Sequence, residues 1–448
     1  MLLAVPAAAQ PKPAAPDDPL AAFDKELDAL LANQGGLTAE QAAARSVKTS
    51  PTVRARTAQI DAQIATIETA ELQRIPQVGI VGRYTRLSPI DPLVLGPGVE
   101  ITSLNNSYLA QASVQLALSD YVVRYPKLIS AARSGLEAAR ITKRSTEIDA
   151  AEDTRVAYYE WIRAKLQNLI AKRQLTQIRA TLNQVRALAD AQRVSRADLM
   201  RVESQEAQVE QTADQLQQLA DLREEQLRIL IGAGNEQLAI GEDIRADVVV
   251  PGTDALDTLV SSATKQRLDF QAYDVGIEAK EKQRSAEKAN LYPKLSAFAT
   301  ADYARPNQRV FPQEDKFELT WQAGVQITWT LNEALVTNAQ DKRFGAEIRE
   351  LRANRENLER GTRIEVLAAQ QGVAIAQRAL ATSKKGLDAA NESYRVRQAL
   401  LAAQRATAVE LIDAETELTR ARIASLNARI DLRIAMVELR HAIGADTK

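Results

Sequence analysis

Phe317-Glu318-Leu319-Thr320-Trp321-Gln322-Ala323-Gly324-Val325-Gln326-Ile327-Thr328-Trp329-Thr330-Leu331 alternates without a break. Every odd position is apolar or aromatic, and every even position is polar or glycine. A period of two held over fifteen residues predicts a strand with one oily and one watery face. With Phe317, Trp321 and Trp329 toward its ends, the pattern fits a barrel strand that faces lipid outside and water inside. A half-buried sheet in a soluble protein would alternate in the same way. The other strands of this chain favour lipid, because they come only in pairs and a two-stranded hairpin is not stable alone in water.

The same pattern occurs earlier. Tyr108, Ala110, Ala112, Val114, Leu116 and Leu118 share one face of a strand over 108–118. Its partner over 77–87 is separated from it by a loop holding Pro89, Pro92, Gly96, Pro97 and Gly98, which excludes a helix there. The fifteen-residue stretch, predicted as strand over 316–331, likewise has a partner at 294–304. Pro76 opens the first pair and Pro293 the second, 217 residues later. Each pair is followed by a long heptad hairpin that closes on Ile-Gly, Ile231-Gly232 and Ile443-Gly444. Both hairpin turns read Ala-Gln-Arg, then four residues, then an acid and Leu: Ala191-Gln192-Arg193 to Asp198-Leu199, and Ala403-Gln404-Arg405 to Glu410-Leu411. A repeat of this size marks a duplicated architecture.

The rest reads as helix. Leu175, Ile178, Leu182, Val185 and Ala189 step by three and four, and Val366, Ala369, Val373, Ala376 and Leu380 do the same in the second copy, which is a heptad seam. Helices at 38–75 and 198–231 together hold about as many residues as 120–190 alone, so two short helices match one long one of roughly 105 Å. The expected organisation is a signal remnant and flexible segment over 1–37, a first repeat over 38–253 with its hairpin at 120–232 and a side excursion at 233–253, a second repeat over 254–444 with its hairpin at 334–443, and a short tail at 445–448.

Composition narrows the function. The 448 residues carry a net charge of -1 with 26% charged residues evenly mixed, so no basic surface points to nucleic acid. Cysteine is absent, which removes disulfides and thiolate chemistry. No apolar run is long enough for a membrane-spanning helix, so any crossing must use strands. The start, Met1-Leu2-Leu3-Ala4-Val5-Pro6-Ala7-Ala8-Ala9-Gln10, reads as the last part of a secretory signal lacking its basic residues. The single His441 at a helix end suits capping or packing, and no phosphate-cradling loop, metal-spaced His pair or nucleophile elbow is present. No catalysis, cofactor or metal is expected.

Paired strands inside a duplicated long-hairpin framework resemble the TolC family of outer-membrane efflux proteins over about residues 38–444. The resemblance implies a mainly α fold with a β-barrel portion. It implies a homotrimer in the outer membrane of a Gram-negative bacterium, with four strands per subunit closing a twelve-stranded barrel and helices continuing into the periplasm. It further implies a passive channel of a tripartite efflux or type I secretion system, opened at its periplasmic tip by an adaptor protein and an inner-membrane transporter. Family members narrow that tip with acidic residues in a Val-acid-Val-Leu-Asp-Ala pattern. Here it reads Val409-Glu410-Leu411-Ile412-Asp413-Ala414, so Glu410 and Asp413 are the implied constriction, with Asp198 at the corresponding place after the first turn. Adaptor docking falls by the same resemblance on Gln192, Arg193, Val194, Ser195, Gln404 and Arg405, although these replace the Val-Gly-Leu-like turns of many members. The Tyr and Arg latch of the best-known type is missing, with Leu401 and Ala406 in its place. A structural coiled-coil protein of the envelope is the alternative, and the alternation at 317–331 opposes it.

Overall fold

A computed structural model describes residues 19–31, 35–89, 91, 93–96, 99–101, 104–246, 248, 254–403 and 405–447. The proposed signal remnant, Gln404 and most of 247–253 lie outside these residues. The chain forms two compact units, and they are not the two sequence repeats. One unit takes 1–53, 146–266 and 362–448; the other takes 54–145 and 267–361.

In chain order the elements are α1 (Pro19–Leu30), α2 (Ala39–Thr49), α3 (Pro51–Leu72), β1 (Gln77–Arg86), β2 (Leu93–Gly96), β3 (Val99–Ile101), β4 (Asn106–Leu116), α4 (Leu118–Val122), α5 (Tyr125–Asp190), α6 (Arg196–Ile231), α7 (Leu256–Gln266), α8 (Leu268–Glu287), β5 (Lys294–Arg305), β6 (Glu318–Thr328), α9 (Leu331–Ala402) and α10 (Ala408–Ala442). Helix dominates, as the seams require. Among the described residues no helix is long and apolar enough to cross a membrane.

The second unit holds an antiparallel sheet in the order β1-β4-β5-β6. The central pairing joins the two repeats, with Ala112 opposite Ala301 and Val114 opposite Ala299. β1 and β6 are the outer strands, each paired on one side within the chain. One face is bare and oily: Ile80 is 85% exposed and Trp321 74% exposed, and Val78, Val325 and Ile327 stand out in the same way. The other face is polar, with Gln111 Nε2 donating to Asp302 Oδ1 at 2.8 Å. Phe298 interrupts that polarity by lying across Gly324, where a Cβ would come within 3.1 Å of the ring.

Aromatic rings gather where the loops leave the sheet: Tyr303 stacks on Phe317 at 5.0 Å and Tyr84 meets Tyr108 at 5.0 Å. At the opposite end Trp329 Nε1 donates to Leu291 O at 3.3 Å. The sheet is shorter than the alternation suggests. β6 stops at Thr328, so Phe317 and Trp329 flank the strand, and Leu118 begins α4 instead of ending β4. Side chains can keep a period of two one or two residues past the last ladder hydrogen bond. The proline-rich loop between β1 and β4 also carries the small β2–β3 pair.

The first unit packs around Tyr158, Trp161, Ile162, Leu166 and Ile170 of α5, with Leu227 and Ile231 of α6 and Ile430 of α10. The segment after α6 pairs with Leu37, just ahead of the α2 cap Thr38: Leu37 N donates to Ala239 O and Gly241 N to Leu37 O, both at 2.8 Å. Gly241 is required there, because a Cβ would sit 2.4 Å from Gly36 O. Tyr158 seals the joint by donating to Leu37 O at 2.6 Å. The flexible segment expected over 1–37 needs correction. Residues 19–30 are helical, and Leu27, Leu30 and buried Leu31 join this core, so burial of apolar side chains outweighs the Pro- and Ala-rich composition just before it.

Candidate functional site

The site is built at the turns of the two hairpins, both in the first unit. α5 ends at Asp190, and Gln192 takes a left-handed backbone (φ 59°) that lets Arg193 N reach back to Leu188 O at 2.8 Å. Ser195 then caps α6: its hydroxyl accepts from Asp198 N at 3.1 Å and donates to Asp198 Oδ2 at 2.6 Å. The second turn repeats the scheme. Arg405 N returns to Leu400 O at 2.8 Å, and Thr407 and Glu410 form a reciprocal capping box at the start of α10.

The repeated acid after each turn is therefore explained locally. A helix start leaves backbone N–H groups unpaired, and a hydroxyl at the cap with an acid three residues on satisfies them. Asp198 and Glu410 are both occupied in this way, and Glu410 Oε2 also takes Arg397 Nη1 at 3.0 Å. Asp413 is different. It is exposed, and its nearest cation is Arg201 Nη2 on α6 at 3.9 Å. Of the three acids expected to form a constriction, Asp413 is the least engaged. Arg193, Val194 and Ser195 lie together at the first turn, and Arg405 lies at the second.

Between the turns lies a cleft of about 1500 Å³ lined from α5, α6, α9 and α10. Arg193, Val194, Ser195 and Asp198 face it, as do Leu401 and Ala406 in the latch places. Sequence reading missed its most unusual residue, Glu415, which is 4% exposed and whose Oε1 has no hydrogen-bond partner among the described residues. Burial pushes its carboxyl up to about 7, with Arg422 opposing the shift. Tyr394 of α9 is buried among Leu411 and Leu418 of α10, and burial raises its phenol, helped by Glu415. No signal marked it: the seam steps from Leu411 through Ala414 to Leu418, so Glu415 falls beside the apolar positions and reads as a flanking acid.

A second acidic group surrounds His441, whose Nδ1 lies 3.2 Å from Glu152 Oε2 and whose Nε2 lies 3.7 Å from Asp149. Burial and the neighbouring Asp153, Asp149, Glu365 and Glu438 raise Glu152 to about 7. Among the described residues no group of three or more acids or histidines converges as a metal site. Of the aromatic residues, Trp321 lies in β6 and Phe317 and Trp329 flank it, all in the second unit.

The chain combines two long helical hairpins with a four-stranded sheet whose one face is bare and apolar. Residues 259–445 match the family described as "Outer membrane efflux protein". No curated protein matches the chain significantly by sequence. Among solved structures, the CmeC outer membrane channel of Campylobacter jejuni is 12% identical, with 98% of this chain and 94% of that chain covered and a TM-score of 0.74. The outer membrane protein VceC of Vibrio cholerae is 16% identical, with 91% and 96% covered and a TM-score of 0.72. The open state of the MtrE channel of Neisseria gonorrhoeae is 16% identical, with 92% and 89% covered and a TM-score of 0.73. The family match thus covers the second half of the chain, and the likeness of fold to these outer membrane channels extends over nearly all of it.

Proposed function

We propose that the chain is one subunit of a trimeric outer-membrane conduit, passive in itself, that carries solutes from the periplasm to the exterior. The observation that carries this reading is the sheet. Its apolar face is bare and, among the described residues, its outer strands β1 and β6 each lack a second partner, an arrangement stable neither in water nor singly in lipid. Three copies pairing β6 of one with β1 of the next would close twelve strands, with Gln111, Gln115, Gln322 and Gln326 lining a wet lumen. The helices would lie in the periplasm, where an adaptor engaging the two turns and an inner-membrane transporter supplying the energy would swing the inner hairpin outward.

At that end Asp413 would dominate ion preference, because Glu410 is already bound to Arg397 and to its own helix start. Single-channel recording in planar bilayers tests this. Asp413→Asn should lower cation preference more than Glu410→Gln does. Equal, absent or reversed effects would remove the constriction assignment, and a preparation with no channel events would remove the conduit itself.

A further inference from the structure

We propose that the cleft between the hairpin turns binds a hydrophobic organic ammonium ion, with the Glu415 carboxylate as its counter-ion. The claim goes beyond conduction, since it rests on the chemistry of one cavity within one subunit. At about 1500 Å³ the cleft exceeds the roughly 300–1,000 Å³ that drug-sized ligands need. Its walls include Leu169, Val185, Val202, Leu401 and Leu411, and Glu415 lies among them with an unpartnered, solvent-shielded oxygen.

The other charges lining the cleft are largely engaged. Lys172 donates to Gln217, Arg173 lies 3.5 Å from Glu26, Arg201 leans toward Asp413, and Asp198 is held by Ser195. Arg193 lines the same cleft at the first turn. The charge of Arg422 favours the ionised form of Glu415, and Tyr394 beside it is a neutral phenol. A small hydrated cation would leave the apolar walls unfilled, and an anion would meet the carboxylate. An ammonium carried on an apolar body satisfies both.

The energetics favour exchange. In the empty cleft burial keeps the Glu415 carboxyl protonated up to about pH 7. When an ammonium enters, the O–H proton leaves to solvent and an ion pair with a charge-assisted hydrogen bond forms in its place, so charge is conserved in the site. Binding that releases a proton tightens as pH rises, and this slope separates ion pairing from simple hydrophobic uptake.

The probe pair is 2-naphthylmethylamine and its neutral analogue 2-naphthylmethanol, titrated by fluorescence against the detergent-solubilised full chain at pH 6 and pH 8. The amine is expected to bind about tenfold or more tightly than the alcohol at the higher pH, with the gap narrowing at the lower. Glu415→Gln, nearly isosteric, should bring the two affinities together. Leu188→Trp, which adds bulk to a half-exposed cleft residue and leaves Glu415 in place, should weaken both probes. Equal affinity of amine and alcohol for the native chain, an unchanged amine affinity in Glu415→Gln, unchanged binding in Leu188→Trp, or no saturable binding would each overturn the proposal. Bilayer conductance of the same preparations reads the conduit separately, so loss of one reading leaves the other measurable.

Discussion

Glu415 shows how one residue can set a pH response for a helical hairpin. Its carboxyl starts near 4.5 in the unfolded chain and is raised to about 7 in the folded one. The folded state therefore binds more protons between those values. The stability this provides is complete below pH 4.5 and is lost as pH rises through 7, by about 3 kcal/mol at most. Glu152 shifts in the same direction for a related reason. Thermal unfolding followed by the helical circular-dichroism signal should thus show a melting temperature that falls from pH 5 to pH 8. Glu415→Gln should make that fall shallower without abolishing it; an unchanged slope would mean that the acid is solvated. At the turn itself, Thr407→Ala removes the hydroxyl that accepts from Glu410 N and should cost about 1 kcal/mol. Faster amide exchange confined to the first turn of α10 would report that loss.

Among the elements, β6 offers a clean contrast between neighbouring positions. Val325 points to the bare apolar face and Gln326 to the polar one. Val325→Lys should cost roughly 2–4 kcal/mol in a bilayer and reduce the yield of assembled protein, whereas Gln326→Lys should be tolerated. Equal yields from membrane fractions would contradict the lipid-facing assignment. The alternation that reveals β6 was fully legible in the sequence, but its ends were not. Asp315 pairs with Arg305, and Lys316 bridges Glu314 and Glu318, so these residues serve the turn. Trp329 keeps the strand's phase while its indole N–H is tied to Leu291. The hairpin turns were legible as a repeated motif, although what the motif does locally, capping two helices, needed the hydroxyls of Ser195 and Thr407 to be seen in place. Glu415 stayed hidden because the seam runs through Leu411, Ala414 and Leu418, so a heptad template reads the acid beside it as solvated, and only the cleft packing shows it buried. Helix α1 was hidden by the proline-rich stretch that precedes it.

For the molecule as a whole, compactness and ancestry divide the chain differently. The compact units cut across α3, α5 and α9, so each unit contains parts of both repeats. The core around Tyr158 and Trp161 ties α5 of the first repeat to Ile430 of the second, and the central β4–β5 pairing does the same in the sheet. A trimer that migrates intact on unheated gels and collapses to a 49.1 kDa species on boiling is the expected behaviour.

The central β4–β5 pairing has one more outcome. It sets a strand hairpin from the front half of the gene beside one from the back half, and the proposed closure between subunits makes the same kind of junction through β6 and β1. The ring would then be six alternating hairpins, blind to which junctions are covalent. Two separately translated polypeptides, broken between α6 and α7, should still find each other and assemble.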